Sequence, residues 1–179
     1  MRIISGYARG RRLQSPKTSL IRPTTDRVRE SLFSILGSVE GTTILDAFAG
    51  SGALGCEALS RGASLCFFCD PSKEAQQIIR HNIGVLEADE SAVLLSTSLY
   101  KGLGGIHTPP DIIFMDPPYH KHALMSESLE LLANAPIITK DALLVVEQDI
   151  DAPAPEHDAF TFDEARLYGR TRISFLYRA

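Results

Sequence analysis

The chain has 179 residues, 44% apolar and 22% charged, with three cysteines and a net charge of −4. That length and composition suit one ordinary globular domain. No apolar run approaches the roughly 20 residues of a membrane span, and Met1-Arg2-Ile3-Ile4 opens no signal-peptide core, so a cytoplasmic protein is expected.

The charge is unevenly placed. Residues 1–30 hold eight basic residues against two acidic ones, a net +6, and the remainder holds ten against twenty, −10. Residues 1–23 read as a basic arm or short β-ribbon, with Ile3-Ile4 and Arg11-Arg12-Leu13 as its two sides and a turn around Gly6. A polyanion is the usual partner of such an arm, with Arg9, Arg11, Arg12, Arg22, Arg27 and Arg29 as the residues to grip it. The body, 24–179, starts with a helix that Thr24 or Thr25 can cap and Gly37 ends, its apolar stripe falling on Val28, Leu32, Ile35 and Leu36.

From residue 43 strands and helices alternate. Strands are predicted at 43–48, 64–70, 92–97, 111–116 and 142–148, and helices at 52–61, 72–86 and 122–133. The connection after residue 97 is glycine- and proline-rich, with a short helix or none. Alternation of this kind implies a parallel, doubly wound α/β sheet. Phe160–Tyr168 and Thr171–Tyr177, joined through Gly169 without room for a helix, close it with an antiparallel hairpin. A mostly parallel, seven-stranded sheet ending so looks like a class I methyltransferase, a Rossmann-like fold. Cys66 and Cys69 lie three apart in the strand run Leu65–Cys69, so they point to opposite faces and cannot share a metal; with Cys56 they read as small buried hydrophobes, and no metal is expected.

Two motifs carry chemistry. Ile44 to Gly55 is a strand, a glycine turn and a helix start, in which Gly50, Gly52 and Gly55 form G-x-G-x-x-G and Asp70 follows 20 residues after Gly50. The glycines let a ligand approach the backbone, and an acid at that spacing binds ribose hydroxyls. This pattern alone does not separate a nicotinamide dinucleotide from S-adenosylmethionine. Asp46 does separate them: a carboxylate there repels a pyrophosphate and attracts an ammonium group, although a strand-end aspartate can also simply bond the turn.

The second motif is Asp116-Pro117-Pro118-Tyr119, at the end of an apolar strand. The prolines remove N–H donors and leave rigid carbonyl acceptors. A carboxylate plus a carbonyl accepts both protons of an –NH₂ group, and Tyr119 offers a flat face to an unstacked base. Accepting both protons favours the tetrahedral nitrogen that attacks a methyl group in line.

With these motifs, Ile3-Ile4-Ser5-Gly6, Arg9-Gly10-Arg11-Arg12-Leu13 and the run from Arg22 to Glu30, the chain resembles the RsmD family over nearly its full length. The resemblance implies methylation of a guanine N2 amine in small-subunit (16S) ribosomal RNA, within an assembled or assembling subunit, with S-adenosylmethionine as donor; nothing in the sequence demands more than a monomer. It implies that Asp46, Phe48, Ala49, Gly50, Ser51 and Gly52 line the methionine end, and that Asp70 holds ribose. Ser98 and Leu99 stand where related enzymes contact the adenine, and Asp116 to Tyr119 hold the base. A DNA adenine-N6 methyltransferase shares the tetrapeptide but usually needs a larger recognition region. An inert RNA-binding or assembly module on the same fold is the alternative outside enzymes.

Overall fold

Seven strands form one mixed sheet in the computed structural model, which describes residues 1–16, 25–117 and 122–179. The first half runs α1 (Asp26–Leu36), β1 (Thr43–Asp46), α2 (Ala53–Ser60), β2 (Leu65–Cys69), α3 (Lys73–Leu86) and β3 (Ala92–Leu95). The second runs α4 (Leu99–Gly102), β4 (Ile112–Met115), α5 (His122–Ala133), β5 (Leu143–Asp149), β6 (Phe160–Tyr168) and β7 (Thr171–Arg178). Among the described residues no helix is long and apolar enough to cross a membrane.

The strand order is β3-β2-β1-β4-β5-β7-β6. β1 pairs in parallel with β2 on one side and β4 on the other, so the winding reverses between β1 and β4. At such a switch point the flanking connections leave on opposite faces and a crevice opens beyond the strand ends. β1 and β4 are buried along their whole length, as central strands of a sheet covered on both faces must be, and β1 is so even at Thr43 and Asp46. β7 runs antiparallel to β5 and β6, and the turn between the hairpin strands uses Gly169 at φ +62°.

Two apolar layers cover the sheet. On one face Ile44, Cys66, Phe68, Ile112, Phe114, Val145 and Phe175 pack with α1, α2 and α3. On the other Leu45, Phe67, Cys69, Ile113, Met115, Leu144 and Val146 pack with α5 and Leu99. Cys66 and Cys69 therefore do face opposite ways, each buried. Thr25 Oγ1 caps α1 by accepting the Val28 N–H at 3.3 Å, and Gly37 follows that helix at φ +70°.

Three details differ from the sequence reading. The buried face of α1 is Val28, Arg29, Leu32 and Phe33, while Ile35 is 37% exposed, so the stripe is rotated toward the arginine and phenylalanine. The strand runs at 43–48, 92–97 and 111–116 stop short of their predicted carboxyl ends, because the chain leaves the sheet there for the connections that follow β1, β3 and β4.

The third difference is the arm. Ile3 N–H donates to Arg11 O and Leu13 N–H to Met1 O, with a bridge between Arg2 and Arg12, so the ribbon exists. It is not free: Ile3, Ala8 and Leu13 are buried in the same layer as α2 and α3. At Gly6 a Cβ would stand 1.6 Å from Ser60 O, so only glycine lets the ribbon close on the end of α2. The expected boundary between residues 23 and 24 lies outside the described residues.

Candidate active site

Four acidic residues stand at the carboxyl edge of the sheet: Asp46 ends β1, Asp70 follows β2, Asp116 follows β4 and Glu147 lies near the end of β5. Ile44, Phe68, Phe114 and Val145 belong to one apolar layer, and each acid lies two residues beyond one of them, so all four share a face. Burial raises Asp46 from 3.8 to about 7; the Gly55 N–H, donated to its Oδ2 at 3.1 Å, opposes this, and Asp70 adds to it. Burial likewise raises Asp70, against N–H bonds from Ser72 (2.8 Å, to Oδ1) and Gly50 (2.9 Å, to Oδ2). Asp116 is pushed well above the ordinary carboxyl range, by burial first, then by Glu147 and Asp46.

A carboxyl whose folded pKa exceeds its unfolded one stabilises the fold fully only below the unfolded value, and that contribution is lost as pH rises through the folded value. For Asp46 the window runs from 3.8 to about 7, equivalent to roughly 4 kcal/mol at most. The protein should therefore be less stable at about pH 8 than at about pH 5. Asp46→Asn keeps an acceptor for the Gly55 N–H and should remove much of that difference. Urea unfolding of both proteins at the two pH values checks it; an unchanged pH dependence in the variant would contradict the assignment.

The turn after β1 needs glycine for its backbone, and at Gly52 also for packing, since a Cβ there would stand 3.2 Å from Phe68 Cε1 and 3.3 Å from Ile79 Cγ1. Gly50 and Gly52 have φ of +53° and +73°, and a Cβ on Gly50 would have only Phe48 O, at 3.9 Å, as a neighbour. Gly55 serves packing instead: a Cβ there would stand 2.3 Å from Phe68 Cε1 and 2.6 Å from Cys66 Sγ, so glycine lets α2 press onto β2. Ala49 N–H donates to Cys69 O, and Phe48 packs on the opposite layer. Asn82, fully buried on α3, donates from Nδ2 to Ser51 O at 2.8 Å and to Gln14 O at 3.0 Å, while its Oδ1 accepts the Gln14 N–H. One side chain thus ties the turn to the end of the ribbon.

Ser98 precedes α4 at the end of the β3 connection, and its hydroxyl makes no capping bond. Leu99 is buried in the core, which leaves its backbone rather than its side chain for a ligand. The edge is acidic throughout, a poor setting for a pyrophosphate and a suitable one for a ligand bearing sulfonium and ammonium charges. The residues present fit S-adenosylmethionine. Pro117 is buried beside Asp116, whereas Pro118 and Tyr119 lie outside the described residues, as does Arg22.

Of the arginines expected to meet a polyanion, Arg9, Arg12 and Arg27 are exposed. Arg29 is a correction. It is 0% exposed, and its Nη2 donates to Arg2 O (2.7 Å) and Asp26 Oδ1 (2.8 Å), with Nη1 3.8 Å from Glu57 Oε2. It holds α1 to the ribbon and to α2 and does not reach solvent. Arg11 is partly committed as well, because its Nη1 donates to Val85 O and to Glu87 Oε1 at the end of α3.

Glu57, Asn82 and Glu147 were not picked out from the sequence. Each is a polar residue in an apolar stretch: Glu57 inside Ala53–Ser60, Asn82 among Ile78, Ile79 and Ile83, and Glu147 directly after Leu143–Val146. That interruption was the available signal, since a polar group on a buried face must find partners.

The family model described as Conserved hypothetical protein 95 matches residues 1–177. Ribosomal RNA small subunit methyltransferase D of Escherichia coli (strain K12) is 39% identical over 156 residues, 87% of this chain and 78% of that protein. The solved structure of Escherichia coli yhhF matches with a TM-score of 0.84 and 34% identity, over 99% of this chain and 97% of that one. Precorrin-6y C5,15-methyltransferase from Geobacter metallireducens GS-15 matches with a TM-score of 0.70 at 16% identity, covering 93% and 94%, a likeness of fold alone. The fold is that of the class I methyltransferases, and the chain belongs to the RsmD family.

Proposed function

We propose that the protein is an S-adenosylmethionine-dependent methyltransferase acting on the exocyclic N2 amine of a guanine in 16S ribosomal RNA, within an assembled or assembling small subunit. The observation that carries this reading is the meeting of Asp116 with the Asp46–Gly52 turn at the switch point between β1 and β4. When bound, S-adenosylmethionine supplies a methyl group on a positively charged sulfur. Gly50 admits the ligand to the backbone and Gly52 shapes the turn that carries it, with Phe48, Ala49 and Ser51 lining the same turn. Asp70 accepts from ribose hydroxyls, Ser98 and the Leu99 backbone meet the adenine, and Asp46 supplies countercharge from below the turn. A cation beside Asp46 and Asp116 favours the ionised forms that burial opposes.

Asp116 is the acceptor for the substrate amine. With carbonyls of the proline pair it takes both amine protons in hydrogen bonds, which turns the nitrogen lone pair out of the ring and toward the methyl group. Tyr119 supplies the stacking face, worth roughly 1–3 kcal/mol for a base. Much of the acceleration comes from positioning.

Arg9 and Arg12 on the ribbon and Arg27 on α1 are the exposed cations for phosphates. Arg9→Ala with Arg12→Ala should weaken RNA binding and flatten its dependence on salt, by roughly 0.7–0.9 in the log–log slope for each phosphate no longer neutralised. A filter-binding series across salt concentrations reads this, and an unchanged slope would remove both residues from the interface. The reading as a whole is tested by offering labelled methyl donor with small subunits, naked ribosomal RNA, duplex DNA and a protein extract. Label should enter small-subunit RNA; label in DNA would favour the adenine-N6 alternative, and none anywhere would favour an inert binding module.

A further inference from the structure

Glu147 is 5% exposed on β5, directly after the apolar residues Leu143–Val146, where ionising a carboxyl group is costly. The β4–β5 pairing sets Met115 opposite Val146, so the next residues along the two strands are Asp116 and Glu147. Adjacent strands lie about 4.8 Å apart. Both side chains point to the α1 side, because Phe114 and Val145, two residues earlier, belong to that layer. The two acids are therefore neighbours at the carboxyl edge of the sheet, and after burial Glu147 acts more strongly on Asp116 than Asp46 does.

Other groups on this face bear on the pair unequally. Asp46 on β1 adds to the negative charge. On α1, Arg29 is committed to Asp26 and the Arg2 carbonyl beside Glu57, and Arg27 and Glu30 are exposed. From the other side of β5, β7 sets Ile173 against Glu147, and beyond it Tyr168 on β6 shares a hydrogen bond with Ser31 on α1 at 2.6 Å. Two carboxyl groups so placed do not both ionise readily; one proton held between them relieves the repulsion.

We propose that Glu147 is the positioning partner of Asp116: the two carboxyl groups hold one proton between them, and with the cationic donor bound that proton rests on Glu147, the less exposed of the two, so that Asp116 is the ionised acceptor facing the substrate amine. The inference rests on the reading of Asp116 as the amine-holding residue. It also accounts for the proton the reaction releases. As the amine nitrogen gains its methyl group it sheds one N–H proton, which passes to Asp116. The pair then holds two protons, and one returns to solvent as the methylated product leaves.

The test uses the full-length protein, with carboxyl ¹³C titrations of Asp116 and Glu147 and methyl transfer to small subunits across pH. In the free wild-type protein the two signals should titrate together, in two steps, the second well above the ordinary carboxyl range. In Glu147→Gln the upper step should vanish. Glutamine donates the same hydrogen bond without a titrating proton, so this variant should keep kcat within a few-fold of wild type and lose any fall in rate at high pH. Glu147→Ala should lower kcat about tenfold, with donor affinity and the KM for subunits little changed. Independent one-step titrations of the two acids in the wild type overturn the proposal whether or not either variant folds. So does a Glu147→Ala enzyme as fast as wild type. An active Asp116→Ala enzyme would instead remove the underlying reading of Asp116, a separate failure.

Discussion

Asp116→Ala should lower kcat for methyl transfer by roughly 10²- to 10³-fold, the usual cost of deleting one group that stabilises a transition state, with donor affinity nearly unchanged. The substrate amine is a weak nucleophile because its lone pair is delocalised into the ring. The alanine variant still has carbonyls of the proline pair, yet loses the acceptor that holds the second amine proton and takes it up afterwards. An interaction of that kind strengthens as the nitrogen becomes tetrahedral, so its loss falls on kcat more than on KM. Asp116→Asn keeps one acceptor oxygen and places an N–H₂ group where the other stood, so it should recover little. Single-turnover rates at saturating donor and subunit, with donor binding by calorimetry, separate the effects. A turnover within about threefold of wild type would exclude Asp116 from the chemistry.

The second large effect concerns stability. Glu57 is fully buried on α2, where Oε2 accepts the Ile4 N–H at 2.8 Å and Oε1 accepts the Ser5 N–H at 3.0 Å and Arg61 Nε at 2.7 Å. Arg29 Nη1 stands 3.8 Å from Oε2. Glu57→Ala therefore leaves two ribbon N–H groups without their acceptor, at about 1–3 kcal/mol each, and takes the buried countercharge from Arg29, which keeps Asp26 and the Arg2 carbonyl. The loss is a large part of the stability of a typical domain, about 5–15 kcal/mol. Loss of soluble protein, or a large drop in the urea midpoint, is the expected result. Arg29→Met should cost less, because Glu57 keeps Arg61 and both backbone donors. Unfolding curves of the two variants check the order; equal losses, or a loss below about 1 kcal/mol for Glu57→Ala, would show that the ribbon is held by its apolar contacts alone.

The pairing of Glu57 with Arg29 also shows where sequence reading stopped. The strands were legible because parallel strands buried on both faces read as apolar runs, and ligands of an open α/β sheet bind beyond the carboxyl ends of its strands, where both motifs stand. Gly169 marked the hairpin and Gly50 with Gly52 the turn, each through a backbone conformation that other residues rarely adopt. Arg29, by contrast, stands in an arginine-rich stretch that reads equally well as an interface. Which face of α1 turned inward was decided by partners 28 and 27 positions away along the chain, Glu57 and Arg2. Charged residues are placed by their partners, and one-dimensional spacing does not reveal partners at that distance. Asp116 is intermediate: its chemistry was legible in the tetrapeptide, but its neighbour Glu147 emerged only from the β4–β5 register.

Arg11 and Arg12 illustrate the same point on a smaller scale. They are adjacent in sequence and equally basic, yet Arg11 bonds the end of α3 while Arg12 is exposed. Variants aimed at RNA binding should therefore spare Arg11, whose loss would also loosen the ribbon.

The central claim is that Asp116 and its loop present a guanine N2 amine of 16S ribosomal RNA for methylation. Digestion of the labelled small-subunit RNA to nucleosides, with chromatographic and mass identification of the product, tests it most directly. The account predicts label in N2-methylguanosine, absent when Asp116→Ala replaces the wild type. Label in N6-methyladenosine, in a ring-carbon or ribose methyl group, or in no nucleoside at all would contradict it.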